Sequence, residues 1–178
     1  HLVNLTTCDV AYCPTEWQRQ QFPKAFQSDI KVIHEGIDTE FCHPDKNAKL
    51  HLPKLNLDLS KSKEIITYVS RGFEPYRGFP QFVEAMRIVQ KNRPECHVVV
   101  VGADRSCYGG GPAKDKTWKQ VELEKGGIDL KRIHFTGLLH REDYRMVLQA
   151  SDVHVYLTRP FVLSWSMLEA MAMGCCLV

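Results

Sequence analysis

Residues 96–102 read CHVVVVG, a near-continuous apolar run closed by glycine. A strand with one wet face alternates. A strand apolar at every position has both faces buried, as in a parallel sheet covered by helices. The flanks carry the other half of that pattern. EIITYVS (64–70) is β-branched and strand-like, and GFPQFVEAMRIVQKNRP (78–94) places Phe82, Ala85, Met86 and Val89 at helical spacing before Pro94. DKTWKQVELEKGG predicts an amphipathic helix ending in glycines, RIHFTG a strand, REDYRMVLQAS a helix, DVHVYLT a strand and SWSMLEAMAMG a helix starting near Ser164. Strands alternating with helices predict βαβ units, hence an α/β, Rossmann-like parallel sheet with helices on both faces.

Upstream, CDVAYCPTEWQRQQF predicts a strand, a break at Pro14 and a helix capped by Thr15, and IKVIHEGID a second strand ending at Gly36. Residues 45–62 are polar and lysine-rich without a clear period, and are expected to form a long surface connection.

Composition narrows the function classes. A net charge of +2 over 178 residues does not make a nucleic-acid surface. The longest apolar run is far short of the ~20 residues that cross a bilayer. Seven cysteines without a CxxC pair suit a reducing, cytosolic compartment, and no metal site is expected. The chain lacks an initiator Met and stops at CCLV as an apolar run begins, so a piece of a longer protein, cut at both ends, is expected.

In open α/β sheets ligands bind beyond the carboxyl ends of the strands. After EIITYVS comes RGFEPYRGF, where Arg71 and Arg77, with Gly72 beside them, suit a diphosphate because the planar guanidinium matches phosphate oxygens. The same arginines would also suit a solvated turn. After CHVVVVG, the loop ADRSCYGGGPAKD breaks the GxGxxG dinucleotide pattern and holds no P-loop, which favours a flexible loop. Backbone groups around Leu138 and Leu139 could meet a base edge, or form an ordinary strand-to-helix turn.

Glu169 stands out. On a helix starting near Ser164 it shares a face with Trp165, Leu168 and Ala172, an apolar surface where an unpaired carboxylate is costly. A ribose offers two vicinal hydroxyl donors, which both carboxylate oxygens can accept. A glutamate answering the helix dipole is the alternative. The eight histidines show no HExxH spacing, and Ser164 and Ser166 lack a GxSxG context.

Four stretches, in order, resemble one family: DVAYCPTEWQRQQFP, KVIHEGIDTEFCHP, VSRGFEPYRGF, and the segment from TGLLHRED through FVLSWSMLEAMAMG. Together they are similar to the C-terminal half of group 1, retaining, nucleotide-sugar glycosyltransferases of the two-Rossmann-domain (GT-B) architecture. The resemblance implies that residues 1–28 are the tail of an N-terminal acceptor domain and 29–178 an incomplete nucleotide-sugar-binding domain. It implies an NDP-sugar (UDP-, GDP- or ADP-sugar) as substrate with no tightly bound cofactor, and a hexose passed to a glycan or lipid-linked acceptor. The acceptor would be held by parts outside this segment, which alone is expected to be inactive. Membrane contact, at the inner face, would come only through such parts.

By position, the resemblance assigns the donor diphosphate to Arg71, Arg77 and Gly72 and the ribose to Glu169. Backbone N–H groups at Leu163, Ser164 and Trp165 would meet phosphate or sugar, with Tyr108 and the Gly109–Gly111 run at the border. No catalytic residue is assigned within this chain. Two positions depart from the family. Phe161 stands where the first glutamate of its E-x7-E element belongs, and Arg77 replaces a lysine. A non-catalytic binding or scaffold domain, a nucleotide-sugar epimerase and a dinucleotide oxidoreductase are the competing readings.

Overall fold

The computed structural model describes residues 2–112, 115–160 and 162–178. In chain order the elements are α1 (Leu2–Thr7), β1 (Ala11–Cys13), α2 (Glu16–Gln20), α3 (Lys24–Gln27), β2 (Ile30–Val32), β3 (His51–Leu52), β4 (Leu57–Asp58) and β5 (Glu64–Gly72). Then come α4 (Phe79–Asn92), β6 (Cys96–Ala103), α5 (Trp118–Glu124), β7 (Ile133–Gly137), α6 (Arg141–Gln149), β8 (Val153–His154), α7 (Trp165–Ala172) and β9 (Cys176–Leu177). Thr15 caps α2, its side chain accepting the Gln18 N–H, and Thr117 with Gln120 forms a capping box on α5.

Five strands make one parallel sheet in the order β7-β6-β5-β8-β9. The VVVV run divides its side chains between the two faces, as period 2 requires. Val98 and Val100 join Tyr68, Phe79, Phe82, Val83 and Met86 beneath α4. Val99 and Val101 pack on the opposite face with Ile65, Leu50, Leu52, Leu59 and Val147 of α6. A third cluster sets Leu148 of α6 against Ala170 and Met173 and against Cys42.

The second face corrects the expectation for residues 45–62. They are mostly exposed, as a surface connection would be, but Leu50, Leu52 and Leu59 are buried in the core and β3 pairs antiparallel with β4. Leu52 lies on β3, Leu50 just before it and Leu59 just after β4, and these elements are too brief to write a period. The second predicted strand is also shorter than expected, ending at Val32; it pairs in parallel with β1.

A buried polar chain joins β5 to β8. Thr67 Oγ1 lies 2.7 Å from Ser151 Oγ and 2.9 Å from His154 Nδ1, and His154 is fully buried with no partner for Nε2 among the described residues. Burial holds the imidazole neutral and lowers its pKa from 6.5 to about 4. Unfolded chains take up a proton at His154 that the folded protein refuses. The resulting stability is complete above pH 6.5 and is lost as pH falls toward 4. Wild-type protein should therefore lose about 2–3 kcal/mol more than His154→Gln between about pH 7.5 and about pH 4.5 in urea titrations. Parallel pH profiles would remove His154 from the acid response.

Candidate functional site

The winding of the sheet reverses at β5. From there β6 and β7 lie on one side and β8 and β9 on the other, so the connections leaving β5 and β8 diverge and open a crevice at their carboxyl ends. A cleft of about 720 Å³ occupies that position. Its floor is Val69, Ser70 and Arg71 of β5, with Tyr156 and Thr158 after β8. Leu163, Ser164, Trp165, Ser166 and Glu169 supply one wall, Arg77 and Tyr108 another, and Tyr12, Pro14, Gln18 and Glu35 the far side.

Each cationic group is placed by its neighbours. Arg71 is exposed on the last turn of the strand, where the Gly72 carbonyl accepts the Ser70 hydroxyl at 2.6 Å. Arg77 closes a 3-10 turn, Pro75–Arg77, whose last carbonyl accepts the buried Tyr68 hydroxyl at 3.0 Å. Its guanidinium sits over the Tyr108 ring, 5.0 Å from the centroid. Gly78 follows with φ +73°, and a Cβ there would lie 2.4 Å from Leu157 Cβ. Only glycine allows the turn to pass this close to the segment after β8.

The acidic side is organised by α7. Ser164 caps it by accepting the Met167 N–H at 3.4 Å, which leaves the amides of Trp165 and Ser166 without intrahelical acceptors at the positive end of the helix. One turn on, Glu169 is half-buried, and its Oε2 accepts the Tyr144 hydroxyl at 2.7 Å. Burial, with the Glu169 carboxylate beside it, pushes the Tyr144 phenol far above its usual range, so it stays a donor at any physiological pH. Trp165 Nε1 reaches across to Glu35 Oε2 at 2.5 Å.

Six residues singled out in the sequence therefore line one cleft: Arg71, Arg77, Leu163, Ser164, Trp165 and Glu169, with Tyr108 beside them. Gly72, Leu138 and Leu139 are not among its lining residues. A Cβ on Gly72 would meet the Arg105 carbonyl oxygen at 2.5 Å, so its need for glycine is one of packing. Leu138 is exposed, and Leu139 packs with the cluster around Val147. Phe161 lies outside the described residues. Among the described residues, no group of three or more His, Cys, Asp or Glu could hold a metal ion. No helix among them is long and apolar enough to cross a membrane.

Sequence reasoning missed Glu35, Tyr144, Tyr156 and Thr158. Tyr156 and Thr158 stand two apart just past a strand, a spacing that puts both on one face and could have found them. Nothing local joins Tyr144 to Glu169, 25 positions away.

Residues 63–178 match the family model for group 1 glycosyl transferases, and residues 1–42 match that of the glycosyl transferase family 4 group. No curated protein matches the chain. Among solved structures it is similar to a sucrose-phosphate synthase from Thermosynechococcus elongatus, at TM-score 0.70 and 21% identity over 98% of this chain and 41% of that one. It is also similar to Anabaena HepE, solved with UDP and glucose, at TM-score 0.73 and 15% identity over 99% of this chain and 45% of that one. A third is the C-terminal domain of a group 1 glycosyl transferase family protein from Francisella tularensis, at TM-score 0.61 and 23% identity over 80% and 69%. At these identities the likeness is one of fold. The chain spans less than half the length of the first two.

Proposed function

The chain belongs to the group 1 glycosyltransferases, and on that premise we propose that its cleft binds the nucleoside diphosphate of a sugar donor, UDP-, GDP- or ADP-linked. The observation that carries this is the meeting, at the reversal point of the sheet, of two arginines, a helix N-terminus and an oriented carboxylate. Arg71 and Arg77 take the diphosphate. As the sugar leaves, negative charge grows on that group, and cations fixed in advance stabilise it more in the transition state than in the ground state. The free amides at the start of α7 add backbone donors. Glu169, steered by Tyr144, accepts both ribose hydroxyls.

The transferred group is a hexose, the acceptor a glycan or a lipid-linked sugar, and the outcome retention. The fold likeness to Anabaena HepE, solved with UDP and glucose, favours this class of donor. Residues 1–28 belong to the acceptor-side domain and 29–178 to the donor domain, with β2 pairing back onto β1 across the division. This segment alone binds the donor and does not transfer sugar. The protein works in the cytoplasm, with peripheral contact at the inner membrane face through other parts.

Calorimetric titration of the chain with UDP, GDP, ADP and NAD tests the reading. Binding of a nucleoside diphosphate is expected, and binding of NAD alone would overturn it. Tyr144→Phe should weaken that binding about 3- to 10-fold, because one hydrogen bond steering the carboxylate is lost while its charge remains. Unchanged affinity would free Glu169 from Tyr144.

A further inference from the structure

Glu74 is fully buried yet carries a carboxylate, in the turn between Arg71 and Arg77. Burying a carboxylate costs several kcal/mol unless fixed donors or a cation answer it. Here both do. Oε2 accepts the backbone N–H of Cys107 at 2.8 Å, and Oε1 lies 3.8 Å from Nε of Arg77, itself only 14% exposed. The same carboxylate thus touches two elements of the cleft wall: the loop after β6, which carries Tyr108, and the arginine whose guanidinium covers the Tyr108 ring.

The surrounding backbone is shaped to admit it. A Cβ on Gly72 would lie 2.7 Å from Glu74 Oε2 and 2.9 Å from Cys107 Sγ, so only glycine leaves room for the carboxylate against the loop. The Phe73 N–H donates to the Arg105 carbonyl at 2.9 Å, a second tie between the two connections. An arginine can also serve two faces at once. Its Nε edge turns to the carboxylate, and the planar fork carries further N–H groups on its other edge, a division that the single ammonium of lysine does not offer.

We propose that Glu74 is a positioning residue: it orients Arg77 and pins the Tyr108 loop, so that this wall of the cleft is preset for the donor diphosphate, and it is matched to arginine at position 77. The inference rests on the donor reading above but has a readout of its own. UDP, GDP and ADP are titrated into wild type, Glu74→Gln, Arg77→Lys and the double variant, with thermal melts verifying the fold. Glu74→Gln keeps the shape and an acceptor for the Cys107 amide while removing the charge. It should weaken binding about 10-fold in the wild-type background and less than about 2-fold in the Arg77→Lys background, since coupled residues are non-additive. Equal losses in both backgrounds would overturn the pairing with arginine. A merely structural role predicts such equal losses. Independently, amide exchange on ligand-free wild type should find the Cys107 amide protected and that of Gly109 open; fast exchange at Cys107 would overturn the clip. If wild type binds none of the three nucleotides the donor reading fails, and the exchange result still decides whether Glu74 holds the loop.

Discussion

Replacing Glu169 by alanine is expected to weaken nucleoside diphosphate binding about 100-fold, the loss of two hydrogen bonds to a charged acceptor. The fold should survive. Alanine favours the helix, and the neighbours that pack α7, Ala170 and Met173, are untouched. Part of the loss comes from the Tyr144 hydroxyl, left half-buried without its acceptor. Nucleotides lacking the ribose 2′-hydroxyl separate this from a general weakening. They should bind wild type about 10-fold less tightly, while Glu169→Ala should barely distinguish the two sugars. Calorimetry reads both. Equal affinity of wild type and variant would move the ribose elsewhere.

Phe82→Ala should reduce folding stability by about 3–5 kcal/mol, the usual cost of deleting a fully buried aromatic ring. Phe82 is at 0% exposure and stacks on Tyr68 with ring centroids 4.5 Å apart. It therefore closes the core between α4 and the sheet. The effect reaches the cleft as well, because Tyr68 is the ring whose hydroxyl donates to the Arg77 carbonyl. Urea unfolding should give the full loss, with a weaker nucleotide response under native conditions. A loss under about 1 kcal/mol would show that the site collapses around the missing ring, against the packing described.

Much of this architecture is legible in the sequence because its signals are local. An apolar VVVV run, a helix with Phe82, Ala85, Met86 and Val89 in phase, and glycines after strands each state their element without help from distant residues. Glu169 is legible for the opposite reason, as a charge where the local pattern wants none. The misreadings have long-range causes. Leu50, Leu52 and Leu59 look like scattered apolar residues among lysines until β3 and β4 bring them against Val99 and Val101. At Gly72 the sequence suggests a phosphate clamp, and the fold adds a packing reason for glycine, since a Cβ there would strike the Arg105 carbonyl and the Glu74 carboxylate. Glu74 itself does not stand out in a turn full of polar residues. Only burial, which depends on the loop after β6, sets it apart.

The proposed donor nucleotide lies in the cleft at the reversal of the sheet, between Arg71, Arg77 and Glu169. Amide exchange with and without saturating UDP, GDP or ADP locates it directly. Slower exchange is expected in peptides covering residues 69–78, 107–109 and 162–170, with 138–139 unchanged. Protection around Leu138 and Leu139 with none at Arg71 or α7 would contradict that placement.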